Sequence, residues 1–253
     1  MAFSAYLGGI PLSETAASPP AFETARGRVQ TFLIELDIGE AERSALALTL
    51  SPDEAARAAR FVSPVHARRF TAARGFLRCA MGRFIGCAPS ELRFEYGPHG
   101  KPTLPGTPIR FNLSHSGDLA LLGVTREARL GVDVERLREV DHLRIARRFF
   151  APAEADRLAR LPEKRRRAAF FAGWTRKEAV IKAVGAGLAL SLDSFEVSIE
   201  GEAKLLRADP SLGQGWSLRE IEAPDGYTAT IALEGPLLDL RLRPSACRAD
   251  SLL

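Results

Sequence analysis

The chain has 253 residues, 46% of them apolar, with a formal net charge of +4 and a pI near 9.2. That length supports a full core, no apolar run reaches membrane-spanning length, and Cys79, Cys87 and Cys247 form no C-x-x-C pair, which argues against a disulfide framework or zinc site. The basic balance points to anionic partners: polyphosphate ligands, acidic proteins or nucleic acid.

Residues 1–27 are rich in Ala, Ser and Pro and lack the basic start and long apolar middle of a secretion signal, which predicts a loose arm on a soluble cytoplasmic protein. Alternation around Phe32 and Ile34 predicts a first strand over 29–36. Ser51-Pro52-Asp53-Glu54 starts a helix, with a capping serine, proline in the first turn and acids at the positive dipole end. A second helix is predicted over 64–85, stopped by Gly86; a strand follows over 92–96, then a Gly/Pro loop over 97–108 that holds Lys101. Residues 111–113 and 119–125 read as strands flanking the polar turn Ser114-His115-Ser116-Gly117, and 130–135 as another strand. Helices are predicted over 141–150, over 152–161 and from Pro162 to a glycine stop at Gly185, and strands over 195–199, 216–221 and 227–233. No element is assigned from Gly235 on.

Laying the helix that ends at Gly86 over the one that ends at Gly185 places Arg83 on Lys182 and Ala80 on Ala179, each followed by a glycine stop and three strands. Two unrelated helix-to-sheet units explain the same pattern. If the repeat holds, the fold is α+β and pseudo-dimeric: two similar halves, each a long helix on a small antiparallel sheet, with the active site in the cleft between them. The divisions are an N-terminal arm (1–27), an N-terminal half (28–125), a C-terminal half (126–235) and a C-terminal tail (236–253).

The last long helix carries the most specific chemistry. Helical spacing aligns Phe170, Trp174, Lys177, Ile181 and Val184 on a largely apolar row expected to be buried, with Phe171, Thr175, Glu178 and Lys182 beside it. An acid and a base four residues apart then sit at the edge of a buried seam; an ordinary surface pair has the same spacing. In Leu130-Gly131-Val132-Asp133-Val134-Glu135, strand alternation puts Asp133 and Glu135 on one face. They repel unless a cation lies between them, either Arg136 or Arg138, or a hard divalent ion with Glu178 as a third carboxylate. Asn112 to Gly117 offers hydroxyls, an imidazole and backbone amides fit to cradle a phosphate. Lys101 adds a point charge, and Arg68, Arg69, Arg74 and Arg78 add positive charge read mostly as a solvated face. The cations 164–167 in the first turns of the long helix read as a solvated face or as a docking patch for an acidic carrier domain.

Taken in order, Gly100-Lys101-Pro102, Phe111-Asn112-Leu113-Ser114-His115-Ser116, Gly131-Val132-Asp133-Val134-Glu135 and Trp174-Thr175-Arg176-Lys177-Glu178-Ala179, with Lys182 and Gly185-Ala186-Gly187-Leu188, resemble the 4′-phosphopantetheinyl transferases, in particular the long two-half class that activates carrier domains of peptide and polyketide synthases. The match spans residues 50–200. The resemblance implies transfer of the phosphopantetheine arm of coenzyme A, as co-substrate, to a serine of an apo acyl or peptidyl carrier protein, dependent on Mg²⁺ and releasing adenosine 3′,5′-bisphosphate. It implies Asp133, Glu135 and Glu178 as metal ligands and Glu178 as the base. Lys182 would lie near the pyrophosphate, and Arg69, Lys101, Pro102, Ser114, His115 and Asp133 would contact coenzyme A. The sequence has neither a basic tail nor an interleaved aromatic and basic pattern, and no membrane-spanning run, so a monomer without nucleic-acid or membrane partners is expected. Two positions depart from the pattern: Ala186 replaces the lysine of Gly-Lys-Gly-Leu, and only Arg57 and Arg60 represent the basic cluster that some members carry for the 3′-phosphate. A non-catalytic coenzyme A binder and a basic nucleic-acid module stay open as other readings.

Overall fold

The computed structural model describes residues 27–185, 187–213 and 215–243; the arm through residue 26, Ala186, Cys247 and the tail from 244 lie outside the described residues. In chain order the elements are β1 (Arg28–Glu35), α1 (Glu40–Ala47), α2 (Pro52–Ala59), α3 (Pro64–Ile85), β2 (Glu95–Tyr96), β3 (Pro102–Thr103), β4 (Ile109–Ser116), β5 (Leu119–Arg126), β6 (Leu130–Arg136), α4 (His142–Phe149), α5 (Pro152–Arg160), α6 (Glu163–Val184), β7 (Glu196–Val197), β8 (Leu205–Arg207), β9 (Trp216–Ile221), β10 (Tyr227–Glu234) and β11 (Asp239–Arg243). This is a mixed α+β fold, and no helix among the described residues is long and apolar enough to cross a membrane.

Strand periodicity builds the layers. In β1 and β5, Phe32, Ile34, Ala120, Leu122 and Val124 join Phe76, Leu77 and Met81 of α3 in one core, while Val29, Leu33, Leu119 and Leu121 face the opposite way. That second set packs against Val132 and Val134 of β6 and Ala229, Ile231 and Leu233 of β10. The outer face of the second sheet, through Leu218 and Ala232, receives Ala179, Val180 and Ala183 of α6. The order is therefore helix, sheet, sheet, helix. Strands buried on both faces read as near-continuous apolar runs, which is the pattern of Leu119 to Val124. The first sheet has the order β11-β1-β5-β4 and the second β6-β10-β9, while β2 pairs with β3 and β7 with β8.

Gly86 and Gly185 stop α3 and α6 in left-handed conformations, at φ 77° and 75°, as their positions foretell. At the start of α2, Glu54 accepts from the Ser51 N–H at 3.0 Å. Four differences from the sequence reading have physical causes. Helix α1 was not foreseen because it has no side-chain cap; it is held by Leu46, which packs so tightly on α3 that a methyl at Gly75 would meet it. Residues 239–243, assigned no element, pair in parallel with β1, Arg28 opposite Asp239 and Phe32 opposite Arg243. The strands expected over 92–96 and 195–199 shrink to Glu95–Tyr96 and Glu196–Val197, each in a two-stranded ribbon. Finally, the polar turn is a strand: β4 runs unbroken through Ser116, with Ser114 opposite Leu121 and Ser116 opposite Leu119. The hairpin bends at Gly117, φ 61°, and Asp118.

Gly131 marks where α6 meets β6. A Cβ there would overlap the Ala179 carbonyl oxygen and the Ala183 nitrogen, both helix backbone that cannot rotate away. Gly131→Ala is therefore expected to destabilise the protein by about 2–4 kcal/mol, at or above the usual overpacking cost. Urea unfolding checks this; a loss below about 0.5 kcal/mol, as at an ordinary surface position, would contradict the close approach.

Candidate active site

The site lies where β4, the edge of the first sheet, meets β6, the edge of the second. Alternate residues of β4 reach β6 in sequence. Asn112 Oδ1 accepts from the Val132 N–H at 2.8 Å, Ser114 Oγ donates to Asp133 Oδ1 at 2.8 Å, and Ser116 Oγ donates to Glu135 Oε2 at 2.7 Å. Arg138 also approaches Glu135, at 3.3 Å. Asp133 and Glu135 thus leave the strand on the face opposite Val132 and Val134, which lie in the core between the sheets.

Helix α6 adds the cation. Lys182 Nζ donates to Asp133 Oδ1 at 2.5 Å and to Ser114 Oγ at 2.9 Å. Asp133 is only 2% exposed, and desolvation pushes its carboxyl up to about 7 against the opposing pull of Lys182. Its second oxygen, Oδ2, is buried with no hydrogen-bond partner. One turn earlier, Glu178 is raised above the usual carboxylate range, first by desolvation and then by the Glu135 charge, with Lys182 opposing. His115 is held low by desolvation and then by Lys182, although much of its surface is exposed. Asp133, Glu135, Glu178, Lys182, Ser114 and His115 therefore share one electrostatic neighbourhood.

A hard cation suits this chemistry, since the orphaned Oδ2 of a buried carboxylate and two further mutually repelling carboxylates are what an oxygen-seeking ion would relieve. Among the described residues, however, no three or more His, Cys, Asp or Glu side chains are arranged to hold a metal ion. Asp133 and Glu135 instead spend oxygens on Lys182, Ser114, Ser116 and Arg138.

The other expected contacts are dispersed. Arg69 forms a two-pronged pair with Asp37, 2.8 and 2.5 Å. Pro102 sits in the β2–β3 ribbon opposite Tyr96. Lys101 Nζ donates to the carbonyls of Leu130, Lys182 and Ala183, which uses all three ammonium hydrogens and leaves none for the phosphate contact expected of it. Arg74 and Arg78 do not form a solvated face, because both are buried on Glu54. Arg57 lies over the Phe70 ring, 5.2 Å from its centroid. Within 164–167, Arg165 pairs with Glu200 at 2.5 Å, Arg167 with Glu139, and Arg166 donates to the carbonyls of Leu161 and Ala159. Two of the four charges are therefore paired with carboxylates.

The helix motif itself divides. Lys177 and Glu154 form a fully buried pair at 2.7 Å, and Lys177 also donates to the Leu192 and Phe195 carbonyls. Arg176 holds Ser198 and Gly201. The links made by Asn112 and Ser116 to β6 were not foreseen; the only signal was a period of two across residues read as a turn.

The α+β fold gathers two strand carboxylates and a helix-borne acid and base at abutting sheet edges, an arrangement suited to acid–base chemistry. Residues 129–232 match the family model described as the 4′-phosphopantetheinyl transferase superfamily. The chain is 40% identical over 223 residues to the 4′-phosphopantetheinyl transferase HetI of Nostoc sp., covering 86% of this chain and 92% of that protein. It is 35% identical over 175 residues to psf-1 of Bacillus pumilus (67% and 74% covered) and 28% identical over 188 residues to Sfp of Bacillus subtilis (74% and 83% covered). The chain belongs to the 4′-phosphopantetheinyl transferase superfamily and is an enzyme of that class.

Because Asp133 titrates higher folded than unfolded, its ionised form opposes folding. That cost is absent below its unfolded value of 3.8, grows as pH rises, and is complete above about 7. Asp133→Asn is expected to stabilise the ligand-free protein at pH 8 by on the order of 1–3 kcal/mol and to leave it unchanged near pH 4. Thermal unfolding across that range checks it; a pH-independent effect would contradict the burial of the charge.

Proposed function

We propose that this enzyme transfers the 4′-phosphopantetheine arm of coenzyme A to a serine of an apo acyl or peptidyl carrier protein, with Mg²⁺, releasing adenosine 3′,5′-bisphosphate. The observation that carries the reading is the meeting of Ser114, Asp133 and Lys182, from β4, β6 and α6, one helical turn from Glu178, in a chain 40% identical to a 4′-phosphopantetheinyl transferase.

The serine hydroxyl attacks phosphorus poorly while it keeps its proton. Glu178 is assigned as the base, because partial burial makes its carboxylate a better acceptor than a free one. The serine oxygen bonds to the β-phosphorus, the hydroxyl proton passes to Glu178, and the bond to the bridging oxygen breaks, leaving the nucleotide bisphosphate. Lys182 is placed to offset charge on the pyrophosphate, and Asp133 and Ser114 fix its ammonium. Asp133, Glu135 and Glu178 would hold Mg²⁺, which when bound supplies further compensation for phosphate charge. Of these acids, Asp133 has an unpartnered buried Oδ2, while Glu135 is bonded to Ser116 and Arg138.

In this reading Arg69, Ser114, His115, Asp133, Lys182 and the Gly100-Lys101-Pro102 turn line the coenzyme A site. The halves are residues 28–125 and 126–235, related as a pseudo-dimer with the site in the cleft between them, and the enzyme works as a cytoplasmic monomer. The test is to incubate protein, coenzyme A and Mg²⁺ with several apo carrier domains and weigh the carriers. A gain of one phosphopantetheine is expected, falling about 10²- to 10⁴-fold in rate for Glu178→Gln with the fold retained. No gain on any carrier would overturn the assignment.

A further inference from the structure

Lys101 is 81 residues before Lys182 in sequence, yet its ammonium lies against the Lys182 backbone. Nζ donates to the carbonyls of Lys182 at 2.6 Å, Ala183 at 3.0 Å and Leu130 at 2.9 Å. Two of these belong to the last turn of α6, where carbonyls have no partner within the helix and the dipole favours a cation. The third opens β6, three residues before Asp133. One ammonium therefore ties the 97–102 loop to both elements that present the Lys182–Asp133 pair.

The loop is built to hold this position. Gly97 N–H donates to the Lys101 carbonyl at 3.0 Å, Gly100 N–H to the Gly97 carbonyl at 2.9 Å, and Gly100 adopts φ 77°. Its His99 ring lies where a Cβ at Gly187 would fall, so the loop is also wedged against the chain just beyond α6. Burial, then Arg129 and Arg110, oppose the Lys101 charge and bring its pKa down to about 8. The three carbonyls are what offset that cost.

We propose that Lys101 is a positioning residue: it fixes the last turn of α6 against the start of β6 and thereby sets Lys182 on Asp133 and Ser114, and its ammonium does not contact the substrate. The inference rests on the function proposed above only where turnover is the readout.

Two measurements on Lys101→Met test it, one without substrate. Acetic anhydride labelling of Lys182, followed by peptide mass mapping, is expected to run faster in the variant as the Lys182–Asp133 contact loosens; an unchanged rate overturns the inference. This readout stands even if no carrier is modified by the wild type, the result that overturns the function alone. With turnover, kcat is expected to fall about 10- to 100-fold while KM for coenzyme A changes by less than about threefold. In a Lys182→Met background the same substitution is expected to cost little more. A raised KM with kcat preserved would make Lys101 a direct ligand; equal losses in both backgrounds, or lost stability with full kcat per folded molecule, would likewise overturn the assignment. Should Lys101→Met fail to fold, Lys101→Arg, which keeps the charge but alters donor geometry, replaces it with the same directions expected.

Discussion

The contact between Lys182 and Asp133 joins α6 to β6, and Ser114 of β4, bonded to both side chains, carries it across the line where two separately hydrogen-bonded sheets meet. Removing a carboxylate from water costs several kcal/mol, and an ion pair seldom recovers the whole of it. Here Oδ1 is served twice, by an ammonium and by a hydroxyl, while Oδ2 is left bare. A fold selected for stability alone would place an apolar residue at this point. Keeping a high-energy carboxylate there makes sense when something outside the protein completes its coordination.

The architecture supplies the rest of that geometry by bringing strand edges together rather than pairing them. Asn112 closes off the Val132 N–H of β6, and the serines on the same face of β4 address the two acids in turn. Gly131 lets α6 descend onto β6 at backbone contact, which brings Lys182 onto Asp133. Lys101, from the loop before β3, then bonds the last turn of the helix.

The same residue types serve two different ends within one helix. Lys177 and Arg176, adjacent to Glu178, are spent on buried structural bonds to Glu154 and to the carbonyls of 192, 195, 198 and 201. They anchor the face of α6 that turns away from the site, so Glu178 and Lys182 ride on a helix that cannot easily rotate. Charge patches divide similarly: Arg74 and Arg78 hold Glu54, and Arg165 and Arg167 hold Glu200 and Glu139. The basic balance of the composition is therefore a poor guide to where an anion would bind.

What was legible in the sequence was local. The two glycine stops, the Pro64 and Pro152 helix starts, the alternation that turns Asp133 and Glu135 away from Val132 and Val134, and the four-residue spacing of Glu178 and Lys182 all follow from periods of 3.6 and 2. The order of the four motifs identified the family for the same reason, since motifs are local strings. Pairing across the hairpin decided that residues 114–116, read as a turn, continue the strand begun at 111–113. Tertiary structure alone gave the Lys101 ammonium to the carbonyls of a helix end, buried Arg78, paired the buried Lys177 with Glu154, and recruited residues 239–243 to the first sheet. The last four depend on partners more than twenty residues along the chain, and the identity of such a partner is set by packing, which no window of neighbouring residues contains.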